Sequence, residues 1–199
     1  MTQTTPLNLP PTLYKILSDF IEDWHQQQST KTPENLLIEF DKDWPSLCYQ
    51  SGAKTDSTEP LVQWAPVKQT GQDMFSRLEQ ALNTKVHPDI ITFYTSYWAN
   101  HLQASSPDGD LELLQIWNQE DMERLRSNLI GHALDKKKRK QALSFFFAIT
   151  IPDDGMLSLN NDTGEIWYEL PGKKPVRKIA DSLAEFISSL QPNTAITSH

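Results

Sequence analysis

The tripeptide Asp162-Thr163-Gly164 has the form of the short aspartic-protease signature, in which two carboxylates share one proton at close range. The chain holds no second copy, so only a dimer could assemble such a pair. Asn161, Asp162 and Gly164 also stand where hairpin chemistry wants them, between MLSLN and EIWYEL, and a turn is the simpler account. Asn161 opens a glycosylation sequon, which carries no weight in a chain expected to stay in the cytosol. His25 and His132 fall on expected helices and have the chemistry of general bases, but a half-buried, hydrogen-bonded histidine is the stronger expectation for each. Cys48 has no activating neighbour in view and reads as a buried small hydrophobe. P-loop, GxGxxG, GxSxG and HExxH patterns are missing, and the five histidines and one cysteine show no metal-ligand spacing. These residues point away from an enzyme, and no metal or other cofactor is expected.

Recognition by charge is the remaining chemistry. The formal charge is -8; residues 1–135 carry nine basic and nineteen acidic side chains (net -10), and residues 136–199 carry nine and seven (net +2). Five consecutive bases, Lys136, Lys137, Lys138, Arg139 and Lys140, stand against this acidic body. A nucleic-acid binder would spread its bases over a whole face, so no nucleic-acid partner is expected. The run reads first as a solvated helix end, where cations complement the dipole by roughly 0.3–1 kcal/mol each. Contact with anionic lipid head groups, at roughly 1 kcal/mol per base, is the second reading.

The acids interleave with aromatic residues. Glu39, Asp41 and Asp43 lie beside Trp44; Asp108, Asp110 and Glu112 lead to Trp117; Glu120, Asp121 and Glu123 follow it. Acids on a first helical turn also favour the dipole, so part of this pattern is structural. The candidate partner-binding set is Glu39, Asp108, Asp110, Glu112, Trp117, Glu120 and Asp121. Exposed ion pairs yield only about 0–1 kcal/mol each, whereas micromolar binding needs roughly 8 kcal/mol, so aromatic anchors such as Trp117 or Tyr94 are expected to contribute.

The elements that must position these groups follow from periodicity. Leu13, Ile16, Leu17, Phe20, Ile21 and Trp24 form one face of a helix, and Ile179, Ser182, Leu183, Phe186, Ile187 and Leu190 form a matching closing stripe stopped by Pro192. Residues 73–82 predict a short helix, and Met122, Leu125, Leu129, Ile130, Ala133 and Leu134 mark the helix that ends in the basic run. LVQW (61–64), LELLQIW (111–117) and SFFFAITI (144–151) read as strands, the last apolar on both faces and therefore central. The fold class is α+β: a single compact domain over residues 1–199, with a mixed, mainly antiparallel sheet flanked by helices. Its core is expected at about 13–192, with STKTPEN, SGAKTDSTEP, the N-terminal dozen residues and the tail as flexible segments. One cysteine permits no internal disulfide and suits a reducing compartment. The N-terminus lacks the features of a signal peptide, and no apolar run is long enough to span a bilayer.

Taken in order, WH (24–25), TFYT (92–95), LLQIW (113–117) with ED (120–121), NLIGH (128–132), FAIT (147–150), TGE (163–165) and LAEF (183–186) make the chain resemble the Syd family of bacterial SecY-interacting proteins. The resemblance runs from about Leu13 to Pro192. It implies a compact α/β domain without catalytic activity, in the cytosol and peripherally on the cytoplasmic side of the inner membrane. Such a domain would bind the basic cytosolic loops of the translocon subunit SecY through a concave acidic surface, and would bind or restrain SecY that is not properly assembled. A soluble interaction or immunity-type module that neutralises another basic protein is the alternative.

Overall fold

The structure, a computed structural model, describes residues 11–50, 61–71, 74–152 and 155–195. Helix α1 (Pro11–Lys31) buries Leu13, Leu17, Phe20, Ile21 and Trp24, the face that the periodicity predicts. It continues past that stripe to Lys31, with Ser29 Oγ and Thr30 Oγ1 donating back to the carbonyls of His25 and Gln26 at 2.8 and 2.9 Å. Thr32 is buried and donates to Gln28 Oε1 at 2.6 Å, and a 3-10 turn (Pro33–Leu36) follows. STKTPEN is therefore an ordered helix end rather than a loop, while SGAKTDSTEP lies outside the described residues.

Short strands β1 (Leu37–Glu39) and β2 (Leu61–Gln63) pair with each other, as do β3 (Val67–Lys68) and β4 (Tyr97–Trp98), with α2 (Met74–Leu82) and α3 (Pro88–Ser96) between β3 and β4. Residues Ile90 and Thr92–Ser96 of α3 are all buried, and this all-round burial leaves no stripe for periodicity to detect. The main sheet takes β5 (Leu102–Ser106), β6 (Gly109–Leu113), β7 (Ser144–Ile151), β8 (Met156–Asn160), β9 (Ile166–Glu169), β10 (Arg177–Ala180) and β11 (Gln191–Pro192). Its order is β10-β9-β8-β7-β6-β5-β11, with antiparallel neighbours throughout, so β7 is central as its composition predicts. Together with α4 (Gln119–Lys138) and α5 (Leu183–Ser188), this is an α+β domain around one core.

The predicted closing helix is shorter than its stripe. Ile179 belongs to β10, and α5 starts only after Ser182, whose hydroxyl accepts from Glu185 N at 3.1 Å while the Glu185 carboxylate accepts from Asp181 N at 2.9 Å. This Ser-x-x-Glu arrangement satisfies donors at the helix start and fixes where it can begin. LELLQIW is likewise a strand only to Leu113. NDTG is the hairpin turn: Asn160 Oδ1 accepts from Asp162 N and Thr163 N, and Gly164 holds φ +76° within 3 Å of where a Cβ would strike His87.

Helix α4 crosses β7. His132 stacks edge-on against Phe146 and lies 3.3 Å from Ser144 Oγ, which donates to Glu169 Oε1 at 2.9 Å. Lys136, one turn on, is only 4% exposed and donates to the other Glu169 oxygen. The first base of the run is thus an internal clamp, neither solvated nor available to lipid. A buried pair of this kind strands its partner when one half is removed. Lys136→Met is expected to cost about 3–5 kcal/mol in urea unfolding, and adding Glu169→Gln, which removes the stranded charge but keeps an acceptor for Ser144, should return part of that loss. Burial, opposed by the Glu169 and Asp135 carboxylates and reinforced by Lys136, lowers the His132 pKa. As pH falls below about 6.5 the unfolded chain takes that proton first, so stability falls with it. Urea midpoints between pH 7.5 and 5.5 should show a shallower loss for His132→Gln than for the wild type.

Candidate protein-binding face

The hairpin between β5 and β6 is tied by Ser106, whose hydroxyl donates to Gly109 O at 3.0 Å and accepts from Asp108 N at 3.2 Å. Alternation along β6 then sends Leu111 and Leu113 into the core and Asp110 and Glu112 to the opposite face. Register lines these up in two rows across the sheet, Ser105–Asp110–Ile151 and Gln103–Glu112–Ile149. Ile149 and Ile151 are 39% and 41% exposed. Asp110 is exposed and accepts from Ser105 Oγ at 2.6 Å; Glu112 is half-buried, 3.7 Å from His101 Nδ1.

The isoleucines reach that face through a β-bulge. Phe146 pairs with Ser158 and Ala148 with Leu157, leaving Phe147 as one extra residue on β7. Without it, Phe145, Phe147, Ile149 and Ile151 would share the core side; with it, Phe145, Phe147 and Ala148 are buried and Ile149 and Ile151 turn outward. No signal in the sequence marks this reversal, since a run of apolar residues at alternate positions reads as core.

Asp108 stands at the end of the same hairpin and pairs with Arg177 of β10 at 2.9 Å. Between hairpin, β10 and α5 lies a cavity of about 300 Å³ lined by Asp108, Leu111, Tyr168, Val176, Arg177 and Phe186. Glu112 also borders a smaller cleft of about 50 Å³ beside Trp24, Gln28 and Trp64.

The other four predicted residues form a separate group. Glu39 is exposed at the end of β1, and Tyr49 Oη approaches its carbonyl at 3.5 Å. Asn118 caps α4 by accepting from Asp121 N at 2.8 Å, and Asp121 Oδ2 accepts from Trp117 N at 2.9 Å, so this carboxylate is engaged in starting the helix. Glu120 is exposed on the first turn. Trp117 is 7% exposed, its ring packed against Tyr49 and Trp64 at 5.2 and 5.9 Å. Tyr94 is fully buried and donates to Phe146 O at 2.9 Å. The expected aromatic anchors are therefore core residues, Trp117 packed among Tyr49 and Trp64 and Tyr94 against Phe93. What links the two acidic groups is the ring series Tyr49–Trp117–Trp64–Trp24, which ends beside Glu112.

Catalytic geometry does not emerge from the histidines. His25 and His132 both have pKa values lowered by burial, and His132 is engaged with Ser144. Cys48 is buried and its thiol is pushed up to about 11, in keeping with an inert core residue. Among the described residues no group of three His, Cys, Asp or Glu side chains is placed to hold a metal ion, and no helix is long and apolar enough to cross a membrane.

With this geometry in hand, comparison with known proteins places the chain. The family described as Syd protein (SUKH-2) matches residues 14–192. The chain belongs to the Syd family. Protein Syd of Alteromonas mediterranea is 42% identical over 189 residues, covering 95% of this chain and 99% of that relative. Protein Syd of Shewanella frigidimarina is 43% identical over 166 residues (81% and 76%), and that of Colwellia psychrerythraea 38% over 192 residues (94% and 96%). The Syd match takes in both acidic groups, the bulged strand and the Lys136–Glu169 clamp. Two kinds of residue in the candidate set are separable by stability: Trp117→Ala is expected to cost about 3–5 kcal/mol, whereas Asp110→Asn with Glu112→Gln should stay within about 0.5 kcal/mol, both read from denaturant unfolding.

Proposed function

We propose that this Syd-family protein is a non-catalytic binding protein that recognises the basic cytosolic loops of SecY, and that the open rows of β5, β6 and β7 are its contact face. The observation that carries the reading is the juxtaposition of Asp110 and Glu112 with Ile149 and Ile151 on uncovered sheet. Loops on the cytoplasmic side of bacterial membrane proteins are rich in Lys and Arg, so the carboxylates have a matching target. Their potentials steer and select the partner. Dehydration of the exposed isoleucine surface adds the apolar contribution that exposed ion pairs lack. Glu39 and Glu120 extend the acidic surface beyond the far end of the aromatic series, and Asp108 extends it along the hairpin. The same reading puts the protein peripherally on the cytoplasmic side of the inner membrane, where it binds or restrains SecY that is not properly assembled.

The test is binding of the purified protein to synthetic peptides of the SecY cytosolic loops and to SecY-containing vesicles, at two salt concentrations. Asp110→Lys with Glu112→Lys should weaken binding at least about tenfold, mainly through the association rate. Ile149→Ser with Ile151→Ser should weaken it by about tenfold with little salt dependence. Unchanged affinity in both double variants would discard this face. Equal, salt-sensitive binding to unrelated basic proteins would instead favour a module that neutralises some other basic partner.

A further inference from the structure

Two basic segments far apart in sequence meet at one end of the molecule. Arg139, just past α4, donates to Gly172 O at 2.8 Å, and so joins the α4 terminus to the turn between β9 and β10. Gly172 holds φ +71°, and a Cβ there would come within 3.3 Å of Arg139 Nη2, so glycine lets the turn approach this closely. That turn carries Lys173 and Lys174, both exposed. With Lys137, Lys138 and Lys140 they make five exposed lysines, none of which forms an ion pair with a described residue. Arg139 itself is paired with Asp135 at 2.7 Å. On an acidic chain, this leaves a local cationic surface built from α4 and the β9–β10 turn together.

The surface also has an apolar component. Leu134 is 53% exposed and lies three and four residues before Lys137 and Lys138, on the same side of α4. Beneath it, between the ends of α2 and α4, is a groove of about 310 Å³ lined by Leu82, Ala133, Leu134, Lys137, Gln141 and Leu143. Lysines without an ion pair among the described residues, next to an exposed leucine and an apolar groove that Lys137 lines, are the composition that suits the boundary of an anionic bilayer, where phosphates meet the bases and the apolar side chain enters the head-group layer. An acidic peptide would satisfy the lysines but leave Leu134 and the groove without a reason.

We propose that Lys137, Lys138, Lys140, Lys173, Lys174 and Leu134 form a docking surface for anionic phospholipid, independent of the acidic sheet face. Lys136 is excluded from it, because Glu169 holds that side chain in the interior. The Lys136–Glu169 clamp and the Arg139–Gly172 bond set the orientation of the lysines from within.

The test needs no protein partner. The full chain is sedimented with vesicles of phosphatidylglycerol and phosphatidylethanolamine, with vesicles of phosphatidylcholine, and is separately titrated with polyglutamate. The expected result is binding to the anionic vesicles alone, weakened about tenfold or more by Lys137→Gln with Lys138→Gln and, separately, by Lys173→Gln with Lys174→Gln, since each base near such a surface counts for several-fold. Leu134→Ser should weaken it further at high salt, where the apolar part dominates. All these positions are exposed, so matching unfolding midpoints establish that the variants are folded. Absence of binding to anionic vesicles, or binding that the Lys173/Lys174 variant leaves unchanged, overturns the proposal. Polyglutamate binding as tight as vesicle binding and indifferent to Leu134→Ser also overturns it, in favour of an acidic protein partner. Loss of vesicle binding with retained SecY-loop peptide binding would separate this surface from the acidic face.

Discussion

Strand β7 carries one residue more than β8 can pair, and the bulge at Phe147 accommodates it. Up to that point the strand is covered on both sides, by the core at Phe145 and by α4 at Ser144 and Phe146. Beyond it the side-chain alternation reverses, so Ala148 remains buried while Ile149 and Ile151 face out beside Glu112 and Asp110. A central strand tolerates such an insertion only where its neighbours hold the ladder on either side, and here β6 and β8 do so. The position of the bulge thus decides which part of the sheet is core and which is surface.

Helix α4 completes this division. It lies over the first half of β7 and is held at its far end by Lys136 on Glu169, with Ser144 on the second carboxylate oxygen. A buried ion pair contributes little net stability compared with apolar packing, but it defines register, because any other alignment would strand two charges. From that register follow both the exposure of Leu134 and of the lysines beyond Lys136 and the meeting of Arg139 with Gly172. At the opposite end, Asn118 and Asp121 fix the start of the helix against Trp117. Residues that look alike in the sequence, acids near tryptophan and bases in a row, therefore divide into those that hold α4 in place and those left at the surface.

Charge is distributed with the same logic. The carboxylates of the open rows lie on β6, and the lysine cluster lies at the α4 terminus and the β9–β10 turn. A protein with a net charge of -8 can show both signs to different partners when each is local and partly unneutralised. Screening over roughly 8–10 Å at physiological salt keeps two such surfaces independent once they are farther apart than that.

The sequence by itself determined the features that depend on local period and composition. The amphipathic face of α1, the central β7, the NDTG hairpin, the buried Cys48 and the α+β class all follow from apolar spacing and turn residues, which act over a few positions. The stripe from Ile179 to Leu190 foretold the closing helix but not its start, since periodicity counted Ser182 as part of the helix that it caps. The carboxylates of Asp110 and Glu112 were legible as surface groups for the same reason, since they alternate with Leu111 and Leu113. Tertiary structure alone decided that Trp117 and Tyr94 fill the core, that Lys136 leaves a run of five bases to pair inside, and that Ile149 and Ile151 come out of a run that reads as interior. It alone brought the turn that carries Lys173 and Lys174 against Arg139, in the middle of the basic run. Each of these depends on a partner tens of residues away or on a single unpaired residue in a strand, and a local pattern of residue types carries no record of either.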